Sequence, residues 1–82
     1  MGKLDIKYSK QAEKFLDKQN DKTFLRITSA VDKLPEGDVV RLQGYSVPTY
    51  RLTVSGFRVI FTREKEIVFV EKIDNRGQVY KN

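Results

Sequence analysis

The chain is short and basic, and it lacks the side chains on which many catalytic mechanisms depend. Its 82 residues include 16 Lys and Arg and 11 Asp and Glu, so the formal net charge at pH 7 is +5. There is no cysteine and no histidine, which excludes disulfide frameworks, zinc fingers, Ser-His-Asp triads and histidine-dependent ribonuclease mechanisms. We therefore expect one domain over residues 1–82, without a metal and without a cofactor.

Hydropathy and charge also limit the partners. Hydrophobic residues make up 39% of the chain and charged residues 33%, and no apolar run is long enough to span a bilayer. Residues 1–8 alternate charged and apolar side chains, unlike a signal peptide, so we expect a cytoplasmic protein that binds no membrane. The positive charge favours an acidic partner, either nucleic acid or an acidic protein segment, although surface lysines can also serve solubility alone.

The first half of the sequence predicts a strand followed by two helices. Apolar and polar residues alternate over 4–8, which is the period of a half-buried strand. Ser9 is a candidate N-cap for a short helix, and Asn20 can end that helix and cap the next one. The second helix ends at the Pro-Glu-Gly-Asp segment 35–38. Its apolar stripe consists of Phe24, Ile27, Val31 and Leu34.

In the second half the apolar period changes to two, which predicts a meander of strands. Residues 39–44 are predicted as an extended or irregular connector and 44–48 as a loop. Turns are expected at 55–56 and at 64–65, and a short C-terminal segment, 78–82, can add a fourth strand. The main strands are predicted at 49–54, 57–63 and 66–73. The expected fold is therefore α+β, with an N-terminal strand and a two-helix antiparallel hairpin packed on one face of a three- to four-stranded antiparallel meander.

A two-residue turn at 55–56 determines which side chains share a face of the sheet. It pairs apolar with apolar residues throughout, in the pairs Val54–Phe57, Leu52–Val59 and Tyr50–Phe61. The opposite face then carries Thr53 directly across from Arg58, with Arg51 diagonal to it. Two cations this close are unfavourable unless an anion or an acidic side chain lies between them, so phosphate binding and a structural ion pair both remain open.

If Arg58 forms a structural ion pair instead of binding phosphate, the turn expected at 64–65 determines which residue is its partner. If residues 64–65 form the whole turn, Glu71 faces Arg58, and this cross-strand ion pair would contribute about 0–1 kcal/mol. An apolar strip lies beside the arginines on the same face, where a partner could cover it. Its members are Ile60, Ile67 and Phe69.

Several segments resemble the RelE/ParE superfamily of toxin–antitoxin toxins. The likeness is carried by Tyr-Arg-Leu at 50–52, Gly-Phe-Arg-Val-Ile-Phe at 56–61 and Asn-Arg-Gly-Gln-Val-Tyr-Lys at 75–81, and it spans almost the whole chain. The sequence is most similar to the RelE-type branch, whose members are ribosome-dependent endoribonucleases that cut mRNA in the A site. A cognate antitoxin wraps around them and neutralises them. The resemblance thus implies a translation-inhibiting toxin whose partners are an antitoxin, the ribosome and mRNA.

The same resemblance implies a set of catalytic residues, and this sequence differs from the family pattern at two further positions. The set is Arg51, Arg58, Arg76 and Tyr80. By this likeness the arginines stabilise the phosphate in the transition state, and the tyrosine stacks on the cleaved nucleotide or takes its proton. Thr53 stands where well-known members often have a basic residue, and Asn75 stands where many relatives have histidine.

The resemblance also implies secondary contacts, and two other functions remain open. Thr53 and Lys81 are candidate RNA contacts, although Lys81 could equally be a solvated tail. Ile60 and Phe69 are candidate antitoxin contacts. One alternative is a ParE-like protein that inhibits DNA gyrase by binding and cuts nothing, and the other is a catalytically weak RNA-binding relative. The ending over 76–80 favours the nuclease.

Overall fold

The computed structural model describes residues 4–75, which form two helices on one face of a five-stranded sheet. The helices are α1 (Lys10–Asp17) and α2 (Asp21–Asp32). The strands are β1 (Asp5–Tyr8), β2 (Asp38–Leu42), β3 (Thr49–Val54), β4 (Phe57–Glu64) and β5 (Ile67–Asn75). Their order across the sheet is β1-β5-β4-β3-β2, with β1 parallel to β5 and all other neighbours antiparallel. The predicted α+β class is confirmed.

The sheet is larger than the three- to four-stranded meander that the sequence predicted, and that part of the prediction was wrong. The segment predicted as a connector forms β2, which pairs with β3 at one edge. The N-terminal strand joins the other edge beside β5. In the five residues of β2 only Val39 and Leu42 are partly buried, so the alternation was too weak to indicate a strand. The segment predicted at 78–82 lies outside the described residues.

Both helices begin where the sequence predicted. The side chains of Ser9 and Asn20 cap them, each accepting a hydrogen bond from the backbone N–H three residues later, at 3.1 and 2.8 Å. In the apolar stripe of α2, Ile27 and Val31 are fully buried, whereas Phe24 lies at the edge of the core and is 39% exposed. No helix within residues 4–75 has the length and apolarity needed to cross a membrane.

The core lies between the helices and one face of the sheet. The predicted register of β3 and β4 is confirmed, since β3 and β4 pair as Val54–Phe57, Leu52–Val59 and Tyr50–Phe61. The buried apolar residues are Ala12, Leu16, Ile27, Val31, Leu34, Leu52, Val54, Val59, Phe61, Val68, Val70 and Ile73. Burying one such aliphatic side chain contributes about 1.5–3 kcal/mol. Because this face is buried, the arginines lie on the opposite face of the sheet, which neither α1 nor α2 covers.

The turn between β4 and β5 lies one residue later than predicted. β4 continues to Glu64, and the turn consists of Lys65 and Glu66. Lys65 has a φ of 58°, in the left-handed region that glycine and asparagine favour. The prediction of a turn at 64–65 was wrong because no glycine or asparagine marks the left-handed position in this segment.

A bulge in β5 changes which residues face the helices. At Glu71 the register steps by one residue, so this residue has no partner in β4. On a regular strand every second residue after Val70 would face the helices, and Lys72 would enter the core. The bulge adds one residue, so Ile73 is fully buried instead, and Lys72 and Asp74 reach the open face.

Two side chains from the start of α1 hold the bulged segment. Because β1 ends at Tyr8, no strand within residues 4–75 pairs with the later part of β5 on that side. Ser9 Oγ donates a hydrogen bond to the carbonyl of Glu71 at 2.7 Å. Gln11 donates to the carbonyl of Ile73 at 3.2 Å and accepts from its N–H at 3.1 Å. These bonds satisfy backbone groups at the sheet edge beyond the end of β1.

Candidate functional site

The open face of the sheet contains a cleft into which two of the predicted catalytic arginines project. The cleft has a volume of about 350 Å³. β3 and β4 supply the arginines, and the bulged part of β5 supplies a lysine and two carboxylates. We call it the arginine cleft, and it is lined chiefly by Tyr45, Arg51, Arg58, Glu71, Lys72 and Asp74.

Arg51 lies in the middle of the open face, and one of its donors has no partner among the described residues. Its strand neighbours are Val40 on β2 and Ile60 on β4. The Nε atom of Arg51 is buried and has no hydrogen-bond partner within residues 4–75. Leaving a buried donor unpaired costs about 1–3 kcal/mol, and more when the group is charged. An anion that enters the cleft could supply the missing acceptor.

Arg58, in contrast, is held by an acidic side chain. Its Nε and Nη2 donate to the two carboxylate oxygens of Asp74 at 3.1 and 3.4 Å. The side chains of Arg58 and Asp74 are 33% and 31% exposed, and Lys72 Nζ lies 3.9 Å from Asp74 Oδ2. The sequence predicted Glu71 as the partner, which was wrong. The later turn moves the residue opposite Arg58 from Glu71 to Ile73, and the bulge moves it on to Asp74.

The other predicted contacts within the described residues lie around the cleft. Thr53 is half-buried and lies directly opposite Arg58, as predicted. Ile60 is half-buried and lies next to Lys72 on β5. Phe69 is 39% exposed and lies before the bulge. Because of the bulge, the lysine interrupts the apolar strip that the sequence predicted.

Three of the predicted site residues cannot be placed. Arg76, Tyr80 and Lys81 lie outside the described residues, so their roles in catalysis and RNA binding stay predictions. Asn75, which replaces the histidine of many relatives, is the last described residue and pairs with Phe57 at the end of β5.

Tyr8 is unsuitable as a proton acceptor. Burial raises the pKa of the Tyr8 phenol, and the nearby Asp32 carboxylate raises it further. The phenol therefore stays protonated at neutral pH, because both effects disfavour the phenolate. This leaves Tyr8 with a packing role beside the helices.

Tyr45 lines the arginine cleft and was not among the site residues predicted from the sequence. It lies in the loop between β2 and β3, its side chain is 57% exposed, and it lines the arginine cleft together with Arg51 and Arg58. An exposed aromatic ring beside two guanidinium groups can stack on a nucleic-acid base. A lone aromatic residue in a loop has no periodicity, so only its position between Gly44 and Pro48 could have drawn attention to it.

A larger concavity of about 660 Å³ lies on the helix side of the molecule, beside α2. Lys22, Arg26 and Lys33 surround it, and Leu25 contributes apolar surface. Among residues 4–75, none that lines it is aromatic, and none places a buried donor without a hydrogen-bond partner there, as Arg51 does in the other cleft. The arginine cleft is therefore the stronger candidate for an anion-binding site.

The fold is similar to those of chains in solved toxin–antitoxin complexes. A chain of the archaeal RelE–RelB complex from Pyrococcus horikoshii OT3 matches with a TM-score of 0.76 and 23% identity, over 95% of this chain and 99% of that one. A chain of the RelB–RelE antitoxin–toxin complex from Methanococcus jannaschii matches with a TM-score of 0.64 and 16% identity, over 92% and 95%. No protein-family model and no curated protein matches the sequence. At these identities the similarity concerns the fold, and the expected RelE-like architecture is thereby confirmed.

Proposed function

We propose that the protein is the toxin of a toxin–antitoxin pair, and that it inhibits translation by cutting ribosome-bound mRNA at the arginine cleft. Its fold, similar to chains of two RelE–RelB complexes, supports the toxin class. The net charge of +5 suits a polyanionic target. The observation that carries the RNA part of the proposal is Arg51, whose buried Nε lacks a partner among residues 4–75 and lies beside Arg58 in an open cleft.

RNA cleavage of this kind begins with attack of a 2′-oxygen on the neighbouring phosphorus. It requires in-line placement, stabilisation of the charge that develops on the phosphorane, and transfer of a proton from the 2′-oxygen to the leaving 5′-oxygen. Arg51 and Arg58 lie on adjacent strands and can contact one phosphate from two directions with planar, forked donors. Positioning and charge stabilisation usually contribute most of the rate enhancement. Because the chain has no histidine, proton transfer is left to a tyrosine, and the ribosome is needed to orient the substrate.

The remaining roles follow from the resemblance and from the cleft. We assign Arg76 a third contact to the phosphate, and Tyr80 stacking and proton transfer. Thr53 and Lys81 contribute further RNA contacts. The exposed ring of Tyr45 stacks on a neighbouring base, an interaction worth about 1–3 kcal/mol per base.

The purified protein is expected to cut mRNA on programmed ribosomes and to leave DNA supercoiling by gyrase unchanged. Arg51→Ala is expected to weaken binding of single-stranded RNA and to reduce the salt slope of log K by about 1, because one phosphate contact is lost. Arg63→Ala is the matched control, since it removes the same charge from an exposed position outside the arginine cleft.

Three results would count against this function. If the protein cuts no ribosome-bound mRNA but inhibits gyrase, the ParE-like alternative replaces it. If it binds RNA through Arg51 without cutting, it is a binding relative. If Arg63→Ala changes the salt slope as much as Arg51→Ala, RNA does not bind at the arginine cleft.

We also propose that the antitoxin covers the open face of the sheet. Ile67 and Phe69 are 47% and 39% exposed there, close to the arginine cleft. Ile60 adds separate apolar surface next to Arg51, beside the lysine that interrupts the strip. Apolar side chains beside cations suit an acidic amphipathic segment, whose charges would accelerate association.

Antitoxin binding is expected to depend on salt mainly through its association rate. Raising the salt concentration should slow association more than it speeds dissociation, which surface plasmon resonance can measure with the product of the adjacent reading frame. Phe69→Ala should speed dissociation by about thirtyfold or more if this ring is a hot spot. Phe24→Ala is the matched control, because both rings are 39% exposed and Phe24 lies on the helix side. A salt-independent association rate would contradict the proposed role of charge in antitoxin binding. Equal effects of Phe69→Ala and Phe24→Ala would contradict the proposal that the antitoxin binds the open face.

A further inference from the structure

Asp74 occupies the edge of Arg58 that a phosphate would use. The two carboxylate oxygens accept hydrogen bonds from Nε and Nη2 of the guanidinium at 3.1 and 3.4 Å. Carboxylates and phosphates bind arginine through the same two-pronged contact. One of the two arginines in the cleft is therefore already engaged, whereas Arg51 keeps a buried donor without a partner among residues 4–75.

The contact between Arg58 and Asp74 is open enough to be exchanged. About a third of each side chain is exposed, 33% for Arg58 and 31% for Asp74. An ion pair that is this accessible to solvent is screened and weak. A phosphate that also reaches Arg51 gains a second guanidinium contact, which the carboxylate of Asp74 does not make.

Lys72 offers Asp74 an alternative partner. Its Nζ lies 3.9 Å from Oδ2 of Asp74, and its side chain is 60% exposed. The bulge at Glu71 brings both residues to the open face. A carboxylate displaced from Arg58 therefore keeps a cation nearby, so the exchange does not leave a half-buried charge unpaired.

We propose that Asp74 is an internal competitor for the phosphate at Arg58, which moves to Lys72 when RNA binds. The proposal rests on the proposed function of the arginine cleft and adds how access to it is controlled. Without RNA, Asp74 holds Arg58; with RNA, a phosphate lies between Arg51 and Arg58. The competition makes the cleft selective for a phosphodiester that is held by further contacts, and it disfavours free small anions and isolated acidic side chains.

The affinity of Asp74→Asn for RNA tests this competition. The probe is a fluorescent single-stranded RNA oligonucleotide with 2′-O-methyl groups, which cannot be cleaved, and the readout is anisotropy. Asp74→Asn is expected to bind about three- to fivefold more tightly than the wild type, the change that corresponds to loss of a partly exposed ion pair. Lys72→Met should bind more weakly, because it removes the alternative partner.

Glu71→Gln is the matched control for charge. Glu71 also lines the arginine cleft and is exposed, but its carboxylate has no ion pair with Arg58. It should therefore raise the affinity less than Asp74→Asn does. A gain in affinity is not expected from structural damage, so a purely structural Asp74 would not produce it, and melting curves verify that each variant is folded.

Each other result overturns the proposal. If Asp74→Asn binds RNA no more tightly than Glu71→Gln, the gain in affinity comes only from removing one negative charge near the cleft, and Asp74 does not compete with phosphate for Arg58. If it binds more weakly than the wild type, Asp74 positions Arg58 and does not compete with phosphate. In both cases, binding that still depends on Arg51 leaves the proposed function intact. If neither the wild type nor any variant binds the oligonucleotide, there is no phosphate for Asp74 to compete with and the competition is overturned, whereas cleavage of mRNA on programmed ribosomes would still support the proposed function.

Discussion

Replacing Arg58 with alanine is expected to abolish mRNA cleavage while leaving the fold intact. The side chain lies on the open face, is 33% exposed and makes no part of the apolar core. Removing a donor that stabilises charge in a transition state lowers the rate by about a hundred- to a thousandfold. The stability loss should be at most about 1 kcal/mol, since only a partly exposed ion pair is broken. Single-turnover cleavage on programmed ribosomes and thermal melting measure the two effects.

Two control variants separate this role from a structural one. Asp74→Ala breaks the same ion pair as Arg58→Ala, so a purely structural Arg58 predicts the same small stability loss in both variants and unchanged cleavage in both. Arg63→Ala removes an exposed arginine from the same strand outside the arginine cleft and should leave cleavage unchanged. If Arg58→Ala unfolds or remains fully active, Arg58 is not the catalytic cation.

The parts of the fold that were predicted correctly are those where two local signals agree. In the β3–β4 hairpin, Ser-Gly at 55–56 permits positive φ, and Gly56 has a φ of 87°. Apolar alternation on both sides of this turn selects the same register. The register put Arg51 and Arg58 on one face, which is why the sequence could predict the common face of these two cations.

The position of Asp74 opposite Arg58 could not be inferred in the same way, because it depends on two shifts of the β4–β5 register, one at the turn and one at the bulge. The turn at Lys65 carries no glycine to reveal its left-handed residue. The bulge does leave a trace, since buried positions follow at a spacing of two from Val68 to Val70 and then of three to Ile73. A strict period of two would have buried Lys72, and that conflict is the signal that was missed.

Long-range partners account for the remaining errors. β2 is defined by its pairing with β3 more than by its own sequence, because an edge strand with few buried residues carries little hydrophobic signal. Tyr45 enters the arginine cleft from a loop, where no periodicity gives the direction of a side chain. Such residues become visible only when strands that are distant in sequence are brought side by side.

If Tyr80 both stacks on a base and transfers a proton, substitutions of its hydroxyl and of its ring should have different effects on cleavage and on binding. Tyr80→Phe keeps the ring and removes the hydroxyl, so single-turnover cleavage on programmed ribosomes should fall by about a hundred- to ten-thousandfold, the range for a general base. Ribosome affinity should hardly change, because stacking survives. Tyr80→Ala should lower the rate further and weaken binding by about 1–3 kcal/mol.

Tyr45 provides the matched control, because we assign its exposed ring to stacking alone. Tyr45→Phe should therefore be silent in both assays, and Tyr45→Ala should weaken binding without lowering the rate of the bound complex. A structural Tyr80 predicts that alanine lowers the melting temperature and that phenylalanine changes neither cleavage nor binding. A gyrase binder predicts that even the wild type leaves ribosome-bound mRNA intact. Normal cleavage by Tyr80→Phe, with the Tyr45 variants behaving as expected, would leave the arginines as the catalytic groups and remove the tyrosine hydroxyl from the mechanism.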